Sequence, residues 1–220
     1  MELRRVIFFD VGNTLLFPNR EEILAPIANE CHPTLEQWQA LERKTKTEFD
    51  RGMQAGLVDH GFWWIFYTYL LDQLGEGMAL RDVLVQNTRN SANWNHILPG
   101  TRETLQRFRK KFRIAVISNS DGRIGRVLLR CGIADCFESI TDSGNVGVEK
   151  PRREIFEAAL RTMNAQPEES LYVGDVYSVD YLGARNAGMD AVLFDVAGAY
   201  KDRDLPRVES LAQLESWLGS

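Results

Sequence analysis

The 220-residue chain is 44% hydrophobic and 26% charged, an ordinary globular composition long enough for one sizeable domain carrying an insertion. Its net charge of -5 gives no reason to expect a nucleic-acid or membrane surface, and no apolar run reaches membrane-spanning length, because the one over 62–71 stops at Asp72. Three cysteines, Cys31, Cys131 and Cys136, make neither a disulfide framework nor a zinc site. With a first segment that moves straight into a strand, the expectation is a cytoplasmic protein without a leader.

The first element is a short apolar run, Val6-Ile-Phe-Phe, that ends in Asp10 and continues Val11-Gly12-Asn13-Thr14. A run of that length, rich in Val, Ile and Phe, suits a strand buried on both faces. Open α/β sheets place their ligands beyond the carboxyl ends of such strands, where Asp10 lies. From about 19 to 95 the pattern is helical. A short helix over 21–30 is broken by Pro26. Thr34 and Gln37 form a capping box for a helix running to about Asp50, with Gly52 as its end. A third helix starts at Asp59 and closes near Gly75, with His60 as a capping or surface residue, and a fourth covers 80–90. No strand pattern interrupts them. Lys44 and Lys46 read as a solvated helix face, and the aromatic set Phe62, Trp63, Trp64, Phe66, Tyr67 and Tyr69 as bundle packing.

Strands and helices then alternate. A helix over 101–111 carries Leu105, Phe108 and Phe112 at helical spacing, and a buried strand follows over 113–118. Asp121 reads as the N-cap of a helix over 124–131, closed by Gly132. A short strand near 139–141, a helix over 154–163 and a strand ending at Asp175 come next. A helix over 180–187 closed by Gly188, a strand over 191–195 and a helix over 210–218 finish the chain. This alternation predicts an α/β fold: a doubly wound, Rossmann-like parallel sheet over 1–16 and 96–220, with an inserted helical bundle over 17–95.

Four strand ends carry polar residues: Asp10, Ser118 with Asn119, Lys150, and Asp175 with Asp180 close behind. In a parallel sheet these ends face one way and share a cleft. Three carboxylates there repel one another unless a cation is bound. Oxygen ligands point to Mg²⁺, which also contacts substrate phosphates. A lysine and a small hydroxyl beside them suit phosphoryl oxygens. The residues therefore describe metal-assisted phosphoryl transfer with a carboxylate nucleophile.

The same residues resemble the haloacid dehalogenase (HAD) superfamily. Asp10-Val-Gly-Asn-Thr14 is similar to its first motif, Asp-x-Asp-x-Thr. Ser118 stands for the second, Lys150 in Val-Glu-Lys-Pro for the third, and Gly174-Asp-Val-Tyr-Ser-Val-Asp180 for the fourth. The insertion resembles the helical cap of the first cap class. The resemblance implies that Asp10 attacks phosphorus to form an aspartyl-phosphate and that Thr14 steadies its loop. It implies that Ser118, Asn119 and Lys150 bind phosphoryl oxygens. Mg²⁺ would be held by Asp10, the Gly12 carbonyl, Asp175 and Asp180. The segment Arg51-Gly-Met-Gln-Ala-Gly56 occupies the place where such caps project a specificity loop, with Arg51 facing an anionic substrate or solvent. The acidic fourth motif sets the chain apart from the metal-free haloacid dehalogenases.

One position departs from the family. Its phosphatases carry a second Asp two residues after the nucleophile, as acid and base, and here that position is Gly12. General acid–base catalysis is worth about 10²–10⁴-fold, so good leaving groups such as acyl or aryl phosphates are expected to suffer least. The expected function is Mg²⁺-dependent hydrolysis of a small phosphorylated metabolite, with no nucleic-acid or membrane partner. The alternatives are a low-turnover phosphate-binding protein, suggested by Gly12, and carbon–phosphorus cleavage, suggested by Gly12 together with the Lys44 and Lys46 pair.

Overall fold

Strand β1 (Val6–Phe9) forms the centre of a six-stranded sheet in a computed structural model that describes residues 5–27, 33–57 and 61–219. All four β1 residues are buried, and they alternate between two cores, Ile7 and Phe9 on one face, Val6 and Phe8 on the other. Strands β4 (Arg113–Ser118) and β6 (Ser170–Gly174) pair with β1 on either side. Strand β5 (Ser139–Asp142) lies beyond β4, and β7 (Asp190–Phe194) and β8 (Arg207–Val208) lie beyond β6. Every pairing in this sheet is parallel. The chain steps outward from β1 to β4 and β5, then returns to the other side of β1 for β6. That reversal is the switch point at which open α/β sheets form a crevice.

Helices cover both faces. Helices α5 (Thr101–Arg109), α6 (Ile124–Arg130) and α10 (Leu211–Gly219) bring Leu105, Leu128 and Leu214 to the Ile7 face. Helices α8 (Arg153–Met163) and α9 (Leu182–Asn186) bring Phe156 and Ala184 to the Val6 face. The doubly wound α/β expectation holds.

The inserted segment has its own core. Helices α1 (Arg20–Leu24), α2 (Leu35–Ala55), α3 (Phe62–Leu74) and α4 (Arg81–Arg89) pack Leu24, Trp38, Leu41, Phe66, Leu70 and Leu84 together. At its base, β2 (Leu16–Pro18) and β3 (Trp94–Ile97) pair antiparallel. This ribbon was not expected, because Leu-Phe-Pro and Trp-Asn-His-Ile are too short to show alternation. The expected borders at 16/17 and 95/96 fall inside its strands.

Several boundaries are corrected. Helix α1 stops at Leu24, two residues before Pro26, and the expected continuation over 28–30 lies outside the described residues, as do Cys31 and His60. The Thr34–Gln37 capping box is present, but α2 runs through Gly52 and ends at Gly56, whose φ of 67° only glycine takes readily. Asp121 is not the N-cap of α6. The Ile124 amide instead donates to Asp142 of β5 at 3.0 Å, and the same carboxylate caps α7 (Ser143–Val146) through Gly144. Asp180 does not open a helix either. It lies within a π-helical turn, Tyr177–Tyr181, ahead of α9. Among the described residues no helix is long and apolar enough to cross a membrane.

Candidate active site

The sheet gathers its strand-end residues around Lys150. This ammonium is buried and donates to Asp10 Oδ1 at 2.6 Å, Tyr172 Oη at 2.7 Å and Asp180 Oδ1 at 2.8 Å, which uses all three of its protons. Its backbone is clamped by Asn119, whose Oδ1 accepts from the Lys150 amide at 2.8 Å while Nδ2 donates to the Lys150 carbonyl at 3.0 Å. The Tyr172 hydroxyl also donates within reach of Asp180 Oδ1 at 3.1 Å, and Asp180 Oδ2 accepts from the Val176 amide at 2.9 Å. Gly174 is required here by close approach, since a Cβ on it would lie 2.5 Å from Asp180 Cγ.

Asp175 faces a different lysine. Lys46 of α2 places its buried Nζ 3.0 Å from Asp175 Oδ2 and 2.8 Å from Glu42 Oε1. The expected solvated lysine pair is therefore split: Lys44 is exposed over the Tyr69 ring, whereas Lys46 faces inward. Helical spacing explains the split, because Arg43, Lys46 and Asp50 share the face of α2 that meets the core. Arg43 donates to the Ala197 carbonyl at 2.9 Å. Asp50 accepts from the Ser178 amide and the Tyr200 hydroxyl, both at 2.9 Å. Asn13 adds a long contact, Nδ2 to Asp175 Oδ2 at 3.4 Å, from a left-handed backbone with φ of 53°.

A cavity of about 600 Å³ opens over these groups. Asp10, Gly12, Ser118, Asn119, Lys150, Asp175 and Asp180 all line it. Thr14 is buried beneath the loop, and its hydroxyl has no hydrogen-bond partner among the described residues. Arg51 does not line the cavity. It projects from the exposed face of α2, while Phe49 and Met53 on another face reach inward and Arg89 of α4 supplies a guanidinium at the lining. The bundle-packing reading of Phe62 and Trp63 is likewise incomplete, because both also line the cavity. A Cβ on Gly12 would lie 3.2 Å from Cζ3 of Trp94.

Burial raises the Asp10 carboxyl; Lys150 opposes the rise and Asp180 adds to it, leaving Asp10 pushed up to about 6. Burial does the same to Asp175, with Lys46 opposing and Asp180 and Asp10 adding, and takes it to about 7. Burial would lower Lys150 and Lys46, but the carboxylates beside them outweigh it and hold both ammonium groups above their ordinary range. The carboxylates thus carry an unmet demand for positive charge. Asp10, Asp175 and Asp180 each offer an oxygen, all within 4.8 Å of one another. Such a hard-oxygen set suits a divalent cation of the Mg²⁺ type.

Sequence reasoning missed four groups that touch this cluster: Asn13, Glu42, Lys46 and Tyr172. Asn13 carried a usable signal, since Asn is among the few residues that tolerate a left-handed turn beside a strand end. Tyr172 reads as an apolar strand residue, and its hydroxyl meets Lys150 only through the β1–β6 pairing.

Comparison with known proteins agrees with this geometry. The family model for haloacid dehalogenase-like hydrolases matches residues 4–188. A glyceraldehyde 3-phosphate phosphatase of Pyrococcus furiosus is 38% identical over 216 residues, covering 91% of this chain and 84% of that one. The corresponding enzyme of Methanothermobacter thermautotrophicus is 42% identical over 108 residues, and the match spans only 48% of each chain, about half the length of that relative. The HAD hydrolase YfnB of Bacillus subtilis, solved with magnesium bound, shares the fold over 100% of both chains with a TM-score of 0.72 at 18% identity. With a family match over most of its length and a relative 38% identical across nearly all of it, the chain belongs to the haloacid dehalogenase-like hydrolase family.

Proposed function

We propose that the chain is a Mg²⁺-dependent phosphatase-type hydrolase of small phosphorylated metabolites, working through an aspartyl-phosphate on Asp10. The observation that carries this reading is the contact of Lys150 with Asp10 at 2.6 Å inside a cluster of three carboxylates. Lys150 favours the ionised form of Asp10, so that a carboxylate oxygen can attack phosphorus. The bond from phosphorus to the leaving oxygen breaks, and its electron pair departs on that oxygen. Ser118 and the Lys150 N–H that Asp10 gives up on becoming esterified then hold the phosphoryl oxygens. Water attacks the phosphorus of the aspartyl-phosphate and releases a proton to solvent, the bond to Asp10 breaks, and the carboxylate is regenerated. Asp10, Asp175, Asp180 and the Gly12 carbonyl would hold Mg²⁺, which when bound offsets charge on the transferring group. The inserted helices act as a cap that keeps bulk water from the intermediate.

Asp121 lines the same cavity and is a carboxyl outside the three-carboxylate cluster that could stand in for the acid missing at Gly12. Burial alone would raise it, but contacts from Ser91 and the amides of Ser91 and Arg123 outweigh burial and hold it below its ordinary range. A carboxyl held low is a poor proton donor near neutral pH, so a good leaving group remains the expected substrate feature. Carbon–phosphorus cleavage through a cap lysine is disfavoured by the position of Lys46, which faces Asp175 and Glu42 instead of lining the cavity.

The test is turnover of acetyl phosphate with and without Mg²⁺, combined with acid quenching and mass analysis of the Asp10 peptide. Wild type should show Mg²⁺-dependent turnover and a phosphate mass on that peptide, and Asp10→Asn should show neither. Silence of the wild type, with phosphate still bound, favours the binding-protein alternative that Gly12 suggests.

A further inference from the structure

The space that a side chain at Gly12 would enter is filled by an aromatic ring. A Cβ there would lie 3.2, 3.4 and 3.6 Å from Cζ3, Cη2 and Cε3 of Trp94. The indole is fixed: Nε1 donates to the Thr88 carbonyl at 2.7 Å, and the ring is 9% exposed. Trp94 packs on Trp63 at a centroid distance of 5.6 Å, Trp63 on Phe62 at 5.0 Å, and Phe62 on Phe49 at 5.7 Å. All four rings line the cavity that contains Asp10. The leaving-group side is therefore an aromatic wall where a carboxylic acid would otherwise stand.

The same wall offers few polar partners. Arg89 is the one charged residue that the inserted helices contribute to the lining among the described residues. The Thr88 hydroxyl is already engaged, 2.6 Å from the Tyr67 hydroxyl and donating to the Leu84 carbonyl at 2.8 Å. Among the described residues, a polyhydroxylated leaving group would find only Arg89 and the unpartnered Ser91 hydroxyl beside these rings, so it would regain few of the hydrogen bonds it loses to water, which is unfavourable. A flat apolar group would lose no such bonds and would gain ring contact.

We propose that the site is selective for phosphate monoesters of aromatic alcohols, with Trp63 and Trp94 as the residues that determine this specificity. The proposal rests on the phosphoryl-transfer reading and narrows its substrate class. Two separate features converge on it: the lack of a proton donor at Gly12, and the aromatic wall. On attack by Asp10 the electron pair of the breaking bond leaves on the aryl oxygen as aryloxide, which takes its proton from water. The aromatic ring spreads that charge, so no side-chain acid is needed.

The experiment compares kcat/KM with Mg²⁺ on 2-naphthyl phosphate, phenyl phosphate, glyceraldehyde 3-phosphate and acetyl phosphate. It uses wild type, Trp63→Ala and Trp63→Phe. The second ring of naphthyl adds roughly 55 Å² of apolar surface, equivalent to about tenfold at about 25 cal/mol per Å². Wild type should therefore prefer 2-naphthyl over phenyl phosphate by about tenfold, chiefly in KM, and both over glyceraldehyde 3-phosphate. The ratio of 2-naphthyl to acetyl phosphate activity should fall about tenfold in Trp63→Ala and be largely regained in Trp63→Phe. Glyceraldehyde 3-phosphate used as well as 2-naphthyl phosphate would overturn the proposal, as would a proportional loss on every substrate in Trp63→Ala. No turnover of any compound, acetyl phosphate included, would sink the hydrolase reading instead. Calorimetric titration then decides the selectivity: about tenfold tighter binding of 2-naphthyl phosphate than glyceraldehyde 3-phosphate sustains it, and equal binding overturns it.

Discussion

Lys46 and Asp175 form a buried ion pair at 3.0 Å between the inserted helix α2 and the loop that follows β6. Lys46 also pairs with Glu42 at 2.8 Å, and neighbouring residues on the same helix face bind the Ala197 carbonyl and the Ser178 amide. Breaking one partner of a buried pair costs about 3–5 kcal/mol, because the other charge is left uncompensated. Lys46→Met should accordingly lower the metal-free unfolding free energy by about 3 kcal/mol at neutral pH, read from denaturant midpoints. Adding Glu42→Gln should recover part of that loss. A change below about 1 kcal/mol, the size of a surface pair, would show that the contact does not stabilise the fold.

Asp10 and Asp175 make metal-free stability depend on pH in a defined direction. Their folded-state values, about 6 and about 7, lie above the ordinary 3.8. Between those limits the folded protein holds protons that the unfolded chain has released. Stability from these two groups is therefore fully present below about pH 4 and is lost as pH rises through 6 and 7. With a chelator present, their contribution should favour pH 5 over pH 8 in thermal melts. Added Mg²⁺ should raise the midpoint more at pH 8 than at pH 5, because the cation replaces the lost protons. A Mg²⁺ effect that is equal at both pH values would count against a site built from these carboxylates.

Tyr172 orients the lysine at the centre of the cluster. Its hydroxyl accepts from Lys150 at 2.7 Å and lies 3.1 Å from Asp180 Oδ1. Tyr172→Phe keeps the ring against Phe156 but removes that partner. The expected outcome is a fall in kcat of about tenfold, the cost of one hydrogen bond of about 1.4 kcal/mol, with KM little changed. Steady-state kinetics checks the split between kcat and KM, and a melt that stays within a few degrees separates positioning from folding. A rise in KM alone would mean that the hydroxyl contacts substrate instead.

The strand-end residues were legible because each sits in a local pattern: an apolar run, then a polar residue, repeated at Asp10, Ser118 and Asp175. Lys150, which stands beyond α7 and not at the end of β5, and Asp180, inside the turn that follows β6, were legible through the third and fourth family motifs. Groups that act through space were not. Lys46 lies among Glu42, Arg43, Lys44 and Glu48 and reads as part of a solvated face, until packing turns one side of α2 inward. Asp142 caps α6 from a neighbouring strand, whereas proximity in sequence points to Asp121. The β2–β3 ribbon pairs segments separated by the whole insertion, and neither is long enough to announce itself. The departure at Gly12 was visible at once, but its physical partner, Trp94, was not.

That partnership makes Gly12→Asp informative. Gly12 does not have a left-handed backbone, so a side chain is not excluded by φ. Its obstacle is the Trp94 ring, 3.2 Å from a Cβ, which must give by a few tenths of an ångström. The ring is held by the Thr88 carbonyl and by Trp63, so it resists movement. Gly12→Asp alone should therefore gain little activity on an alkyl phosphate such as glycerol 3-phosphate. Combined with Trp94→Leu, which opens the space beside residue 12, it should gain toward the 10²–10⁴-fold range of a restored acid–base group. Trp94→Leu alone should lose about 2–4 kcal/mol of stability through the cavity it leaves, so the pair is assayed at a temperature where melts show both variants folded. If the single Gly12→Asp variant already gains the full factor, the indole is not what keeps the position empty.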